Sequence, residues 1–224
     1  AAPGAFQRAQ AFAQRFGTVL DANGVYCKSF GPPVDAGPSY SRELTFDPRI
    51  PCWPTHLTVS EGEAYRIVMT VDDNWKDKNI PANVHGIIGS MPWYLRPLSW
   101  PNKRYIFENY FKPVARITPG KRMARFSEGQ DEYVLDPAFT GGANAPRCLV
   151  SDFVAQSSGE LFLYVNDAVL WLWPDALVET YGNNGGLAKV HVRRIVMQGE
   201  AFEPPSGTDA CTAFEATPPL ASKN

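Results

Sequence analysis

The chain has 224 residues, 44% of them hydrophobic, with 21 basic against 23 acidic side chains and a formal net charge of −2. The basic residues are scattered, which argues against nucleic acid as the principal partner. No apolar run approaches the ~20 residues that a membrane-spanning helix needs, so a soluble chain is expected.

From the start, Ala1-Ala2-Pro3-Gly4 suits a mature end left by signal-peptide cleavage at small residues, which points to a periplasmic or extracellular protein. Phe6, Ala9, Phe12, Ala13, Phe16, Val19 and Leu20 then recur at three- and four-residue spacings, predicting an amphipathic helix over about 4–20. The turn-forming run Asp21-Ala22-Asn23-Gly24 ends it. Residues 28–54 are rich in Pro and Gly and read as an extended arm, with a strand-like piece at Ser41 to Phe46.

Residues 91–120 crowd Trp93, Tyr94, Trp100, Tyr105, Phe107, Tyr110 and Phe111 between prolines. Exposed, such rings make a sugar or protein surface; buried, they fill a core. Leu161, Leu163 and Val165 alternate with Phe162 and Tyr164, and Leu187, Lys189 and His191 alternate with Ala188, Val190 and Val192. That period of two marks two strands with one face on a core. The expected organisation is an N-terminal helix and arm over 1–52, a β domain over 53–198, and an irregular Pro-rich tail over 199–224.

Cys27, Cys52, Cys148 and Cys211 form no CxxC pair, so disulfides in an oxidising compartment are expected rather than a thiolate metal site. Four cysteines allow three pairings. Cys27 with Cys52 and Cys148 with Cys211 is favoured, because each pair ties an irregular arm to the central domain.

Enzymatic signatures are absent from the sequence, and a non-enzymatic protein is expected. There is no GxSxG, Walker or dinucleotide-binding glycine motif, and His56, His85 and His191 lie in no recognisable triad pattern.

The richest chemistry lies between the last two strands. Asn166, Asp167, Thr180, Asn183 and Asn184 collect oxygen donors, with no His or Cys among them, which suits a hard cation such as calcium rather than zinc or copper. The same Asn-Asn-Gly-Gly run also reads simply as a turn.

The segments YVND and ETYGNNGGLAKVHV resemble the C-terminal signature of the calcium-dependent galactophilic lectins of the bacterial PA-I type, small jelly-roll domains of the galactose-binding-like class. The resemblance implies a jelly-roll β-sandwich in which Asp167, Thr180, Asn183 and Asn184 hold one Ca2+ and two hydroxyls of a galactose-like sugar complete the shell. The stretch 57–86 resembles the family's early strand pair, with a turn at Gly62, a strand to Val71 and then Trp75. By that likeness a calcium ligand follows Trp75, either a backbone carbonyl of Lys76, Asp77 or Lys78 or the carboxylate of Asp77. His85 and Asn166 fall where sugar contacts are expected. In the wider galactose-binding-like domains a Gly-Arg-Ile-like triplet ends a middle strand, and Val114-Ala115-Arg116-Ile117 is the nearest match. One departure stands out: the twelve residues AVLWLWPDALVE separate Asp167 from Thr180, where the compact lectins have only a few. Its Trp171 and Trp173 can form a wall beside the sugar, cap the ion, or part the two halves of the site.

Two functions follow from these features. One is a calcium-dependent carbohydrate-binding module; the other is a structural or assembly subunit of a cell-envelope or extracellular complex, in which the ion only stiffens a loop and the partners are protein subunits.

Overall fold

The computed structural model describes residues 4, 7, 11, 18–21, 24–27, 32–37, 43–87, 103–105, 108–118, 132–136, 147–168, 180–195 and 211. The described part is mainly β. Strands β1 (Thr18–Asp21), β2 (Gly24–Cys27), β3 (Val34–Asp35) and β4 (Leu44–Phe46) come first. They are followed by β5 (Trp53–Val59), β6 (Ala64–Val71), β7 (Lys76–Asp77), β8 (Ile80–Pro81) and β9 (Pro113–Thr118). The last five are β10 (Glu132–Val134), β11 (Cys148–Val154), β12 (Gly159–Val165), β13 (Asn184–Gly185) and β14 (Ala188–Ile195).

Two sheets carry most of the fold. One has five strands in the order β10-β9-β12-β5-β3 and the other four in the order β11-β6-β14-β4, while β1-β2 and β13-β7-β8 form smaller sheets. Leu57, Ile117, Leu161 and Leu163 from the first sheet join Ile67, Met69, Leu149 and Val190 from the second in a single buried cluster. The alternation read along β14 has this cause: Ala188, Val190 and Val192 are buried, whereas Lys189 is exposed. Burying one such aliphatic side chain stabilises the fold by about 1.5–3 kcal/mol, so the shared core dominates its stability.

At one end of this core Trp75, only 2% exposed, packs against Phe46 and Phe111 with ring centroids 5.8 and 5.1 Å apart. Trp75 immediately precedes β7, the central strand of the β13-β7-β8 ribbon. Trp75 also accepts the Ala82 N–H at its carbonyl (3.0 Å), closing the β7-β8 hairpin.

Both favoured disulfides are present, Cys27–Cys52 and Cys148–Cys211, with Cα separations of 5.3 and 5.8 Å. The expected N-terminal helix needs correction at its C-terminal end. Gln7 and Ala11 have helical backbone, but Thr18–Asp21 is strand β1, paired antiparallel with β2 so that Asp21 faces Gly24. Only two residues then join the strands, and the Asp-x-Asn-Gly run that was read as a helix stop is instead hairpin turn chemistry. The remainder of 4–20 lies outside the described residues. The arm expected over 28–54 contributes sheet edges: β3 pairs in parallel with β5, and β4 pairs with β14.

Candidate metal centre

Strand pairing brings the oxygen-bearing residues together from distant parts of the chain. In the small ribbon β13 lies against β7, with Asn184 opposite Asp77 and Gly185 opposite Lys76. Directly opposed residues on paired strands project to the same side, so the Asp77 carboxylate and the Asn184 amide are neighbours. Asp167 arrives from the end of β12, two residues beyond Val165, where its backbone N–H turns back onto the Val165 carbonyl (2.9 Å).

Tyr181 holds the opposite wall. Its hydroxyl donates to the Val165 carbonyl (2.9 Å) and accepts from Arg104 Nη1 (3.3 Å), pinning the helical turn at 180–182 to the end of β12. Thr180, half-buried, is carried on that turn. Asn183 is exposed, and its carbonyl accepts the Lys78 N–H (3.2 Å), which ties the loop to the β7-β8 hairpin. Lys78 takes a left-handed φ of 54° to make that turn.

The electrostatics of the cluster are unusual. Asp167 is 4% exposed and Asn184 5%. Asp167 Oδ1 accepts the Ala168 N–H (2.7 Å), and Asn184 Nδ2 donates to the Pro48 carbonyl (3.0 Å). That leaves Asp167 Oδ2 and Asn184 Oδ1, both buried, with no hydrogen-bond donor. Burial, and then the negative charge of Asp77, push the Asp167 carboxyl up to about 8, against the opposing pull of the Ala168 N–H and the Asn184 amide. Burial likewise raises Asp77, with Lys78 opposing. Asp167 Oδ2 and Asn184 Oδ1 therefore stand buried and without a hydrogen-bond donor close to the Asp77 carboxylate.

This donor set fits a hard cation. Buried polar atoms are nearly always paired, and two orphaned acceptors beside a second carboxylate leave oxygens that a bound cation would satisfy. Calcium takes oxygen ligands from carboxylates, amides, hydroxyls and carbonyls, and Asp167, Asp77, Asn184 and Thr180 supply three of those kinds. Among the described residues there is no group of three or more His, Cys, Asp or Glu, so the set is poor for zinc and depends on neutral oxygens.

Other expected residues fall differently. Asn166 is fully buried, and its amide is engaged by the neighbouring loop: Oδ1 accepts the Tyr105 N–H (2.8 Å), while Nδ2 donates to the Tyr105 and Asn109 carbonyls (3.0 Å each). Fully buried and so engaged, it braces Tyr105 and Asn109 and has no surface to offer a sugar. His85 is half-buried on the turn Asn83–Gly86, its N–H donating to Asn83 Oδ1 (2.8 Å) and its carbonyl accepting from Asn109 Nδ2 (3.1 Å). Trp171 and Trp173 lie outside the described residues, as do Trp93, Tyr94 and Trp100. Arg116 lies within β9, where Nη1 meets Glu132 Oε1 at 3.0 Å.

Four supporting residues were not singled out from the sequence: Pro48, Asp72, Arg104 and Tyr181. Asp72 Oδ1 accepts the Asn74 N–H (2.9 Å) and Oδ2 the Leu187 N–H (3.0 Å), clamping the loop before β7 to the loop after β13. Arg104 is buried with its guanidinium 3.3 Å from the Tyr164 ring centroid and Nη1 2.7 Å from the Pro51 carbonyl. Only the Asp-x-Asn spacing of 72–74 hinted at any of this, as an Asx turn.

Comparison with protein families, curated proteins and solved structures returned no match to this chain.

Proposed function

We propose that the protein is a calcium-dependent carbohydrate-binding module, non-enzymatic, secreted or held in the cell envelope in a periplasmic or extracellular setting. One observation carries this reading: Asp167 Oδ2 and Asn184 Oδ1 are buried without donors beside Asp77. The ion is held by Asp167, Asn184, Asp77 and Thr180, with Asn183 on the exposed side of the loop. In this reading the two larger sheets are the layers of a jelly-roll β-sandwich of the galactose-binding-like kind, and vicinal hydroxyls of a galactose-like sugar complete the calcium shell. The two disulfides, and the lack among the described residues of a helix long and apolar enough to cross a membrane, are compatible with a non-cytoplasmic setting.

The test is a glycan array run in calcium and again in chelator. Calcium-dependent capture of galactosides that is lost in Asp167→Asn supports the proposal. Silence on every galactoside by folded, calcium-loaded protein overturns its sugar half.

A second reading has its own support. The amide of Asn166 is wholly engaged by backbone, which removes one expected sugar contact and leaves the ion as a brace between β12, β13 and the 105–109 loop. The protein is then an assembly subunit of an envelope or extracellular complex. Silence on glycans combined with calcium-dependent stability is the outcome this alternative expects.

A further inference from the structure

Lysines elsewhere in the described part of the chain are spent on partners within it. Lys112 meets Glu108 and Asp136, Lys189 meets Glu43 (3.3 Å), and Lys103 Nζ donates to the Glu108 carbonyl. Lys76 and Lys78 differ. Both are exposed, and neither ammonium has an ion-pair or hydrogen-bond partner among the described residues. The chain as a whole is slightly acidic, with a formal net charge of −2, so this basic excess is local.

Its place is the candidate metal centre. The two lysines stand on either side of Asp77, which faces Asn184 across the pairing of β7 with β13. Lys76 is opposite Gly185, and its stem lies over that glycine: a Cβ there would stand 3.1 Å from Lys76 Cε and 3.2 Å from Cγ. Lys78 is fixed by its N–H bond to the Asn183 carbonyl (3.2 Å), and its charge opposes the rise of the Asp77 carboxyl, so it is felt at that carboxylate. Acidic neighbours do not cancel the pair. Asp73 is matched by Arg147, and both oxygens of Asp72 accept backbone N–H groups, from Asn74 and Leu187. A divalent ion held by Asp77 and Asp167 balances those two carboxylates, and Lys76 with Lys78 then outweighs Asp72. The loaded site is net positive.

We propose that the site selects an acidic galactose-like sugar, of the galacturonate class, through Lys76 and Lys78. This deepens the carbohydrate reading above and rests on it. Calcium takes carboxylate oxygens alongside neutral ones, so a uronate carboxylate can enter the shell where a neutral sugar has only hydroxyls to give. A lysine ammonium is a compact charge on a flexible four-carbon stem, suited to following a carboxylate on an incoming ligand. Complementary charge at a site of this kind sets which ligand is preferred and speeds its arrival.

In the test, the full chain with excess calcium at low ionic strength is titrated calorimetrically with galacturonate and, separately, with galactose. Galacturonate should bind about tenfold more tightly, as two exposed charge contacts allow. In about 1 M sodium chloride, where the screening length is about 3 Å, that ratio should fall severalfold. Lys76→Gln combined with Lys78→Asn, the asparagine suiting the left-handed backbone at 78, should bring the two affinities to within about twofold. Lys189→Gln removes a paired lysine from β14 and should keep the full ratio. Galactose binding as tightly as galacturonate, or a preference that survives the double variant, overturns this inference and leaves the carbohydrate reading standing. Binding of neither sugar to folded, calcium-loaded protein overturns both. If the double variant fails to fold, the salt series on the unaltered chain decides, and a ratio unchanged by salt overturns the role of the lysines.

Discussion

Asp167 is the residue on which the site turns, and its proton exposes it to measurement. With no ion bound, burial and Asp77 push its carboxyl up to about 8, while in the unfolded chain an Asp titrates near 3.9. The folded state therefore holds the proton more tightly than the unfolded state. Its contribution to stability is complete below about pH 4 and is lost as pH rises through about 8. Chelated protein should melt progressively lower across that window, and Asp167→Asn should flatten the slope. A slope unchanged by the substitution contradicts the assignment. Tyr181 offers a smaller test: Tyr181→Phe removes the bond to the Val165 carbonyl and should cost about 1 kcal/mol in denaturant unfolding. It should also weaken calcium binding, because the turn carrying Thr180 loses its pin.

Among the elements, the ribbon β13-β7-β8 is the part most sensitive to backbone geometry. Gly186 has a φ of 85°, and a Cβ there would meet Asp72 Oδ1 and the Trp75 nitrogen at 2.6 Å. Gly186→Ala should therefore destabilise the fold by at least about 1–3 kcal/mol and loosen β13 from the loop before β7, read as a lower melting temperature with weakened calcium binding. An alanine variant with unaltered stability contradicts the clamp.

How legible these elements were in the sequence follows from their physics. Strand β14 showed through because alternation against a core writes itself locally, whereas β12 is buried at every residue from Glu160 to Val165, so the one-faced burial expected of it does not hold. Asp167 and Asn184 were legible as oxygen donors near a turn. That Asp77 stands opposite Asn184 was not legible from the residues alone, since register between strands more than a hundred residues apart is set by pairing and not by local pattern. Thr18–Asp21 was misread because Val19 and Leu20 extend a helical spacing by chance, and the Asn-Gly turn that decides for a hairpin follows them. Asn166 was misjudged for a related reason: sequence shows an amide at a strand end but not the backbone donors and acceptors that consume it.

Among the described residues the largest hydrophobic core is shared between two sheets, and two covalent ties of long span reinforce it. Cys27–Cys52 closes a separation of 25 residues and Cys148–Cys211 one of 63. On a chain-entropy estimate these are worth about 3.5 and about 4.3 kcal/mol. Reduction should lower the urea midpoint in two separable steps in Cys→Ser pair variants, with the larger loss for Cys148–Cys211. Equal midpoint losses in the two pair variants contradict that ranking. At this scale the proposed calcium would be a third tie, drawing the end of β12, the β7-β8 hairpin and the loop before β14 into one unit.

The central claim is tested most directly by thermal unfolding of the chelator-treated chain during a calcium titration, with Asp167→Asn run alongside. The account predicts a saturable rise in melting temperature for the unaltered chain, equivalent to about 2.7 kcal/mol when calcium reaches a hundred times its dissociation constant, and none for the variant. Superimposable melting curves with and without calcium, or a calcium response that survives in Asp167→Asn, would contradict it.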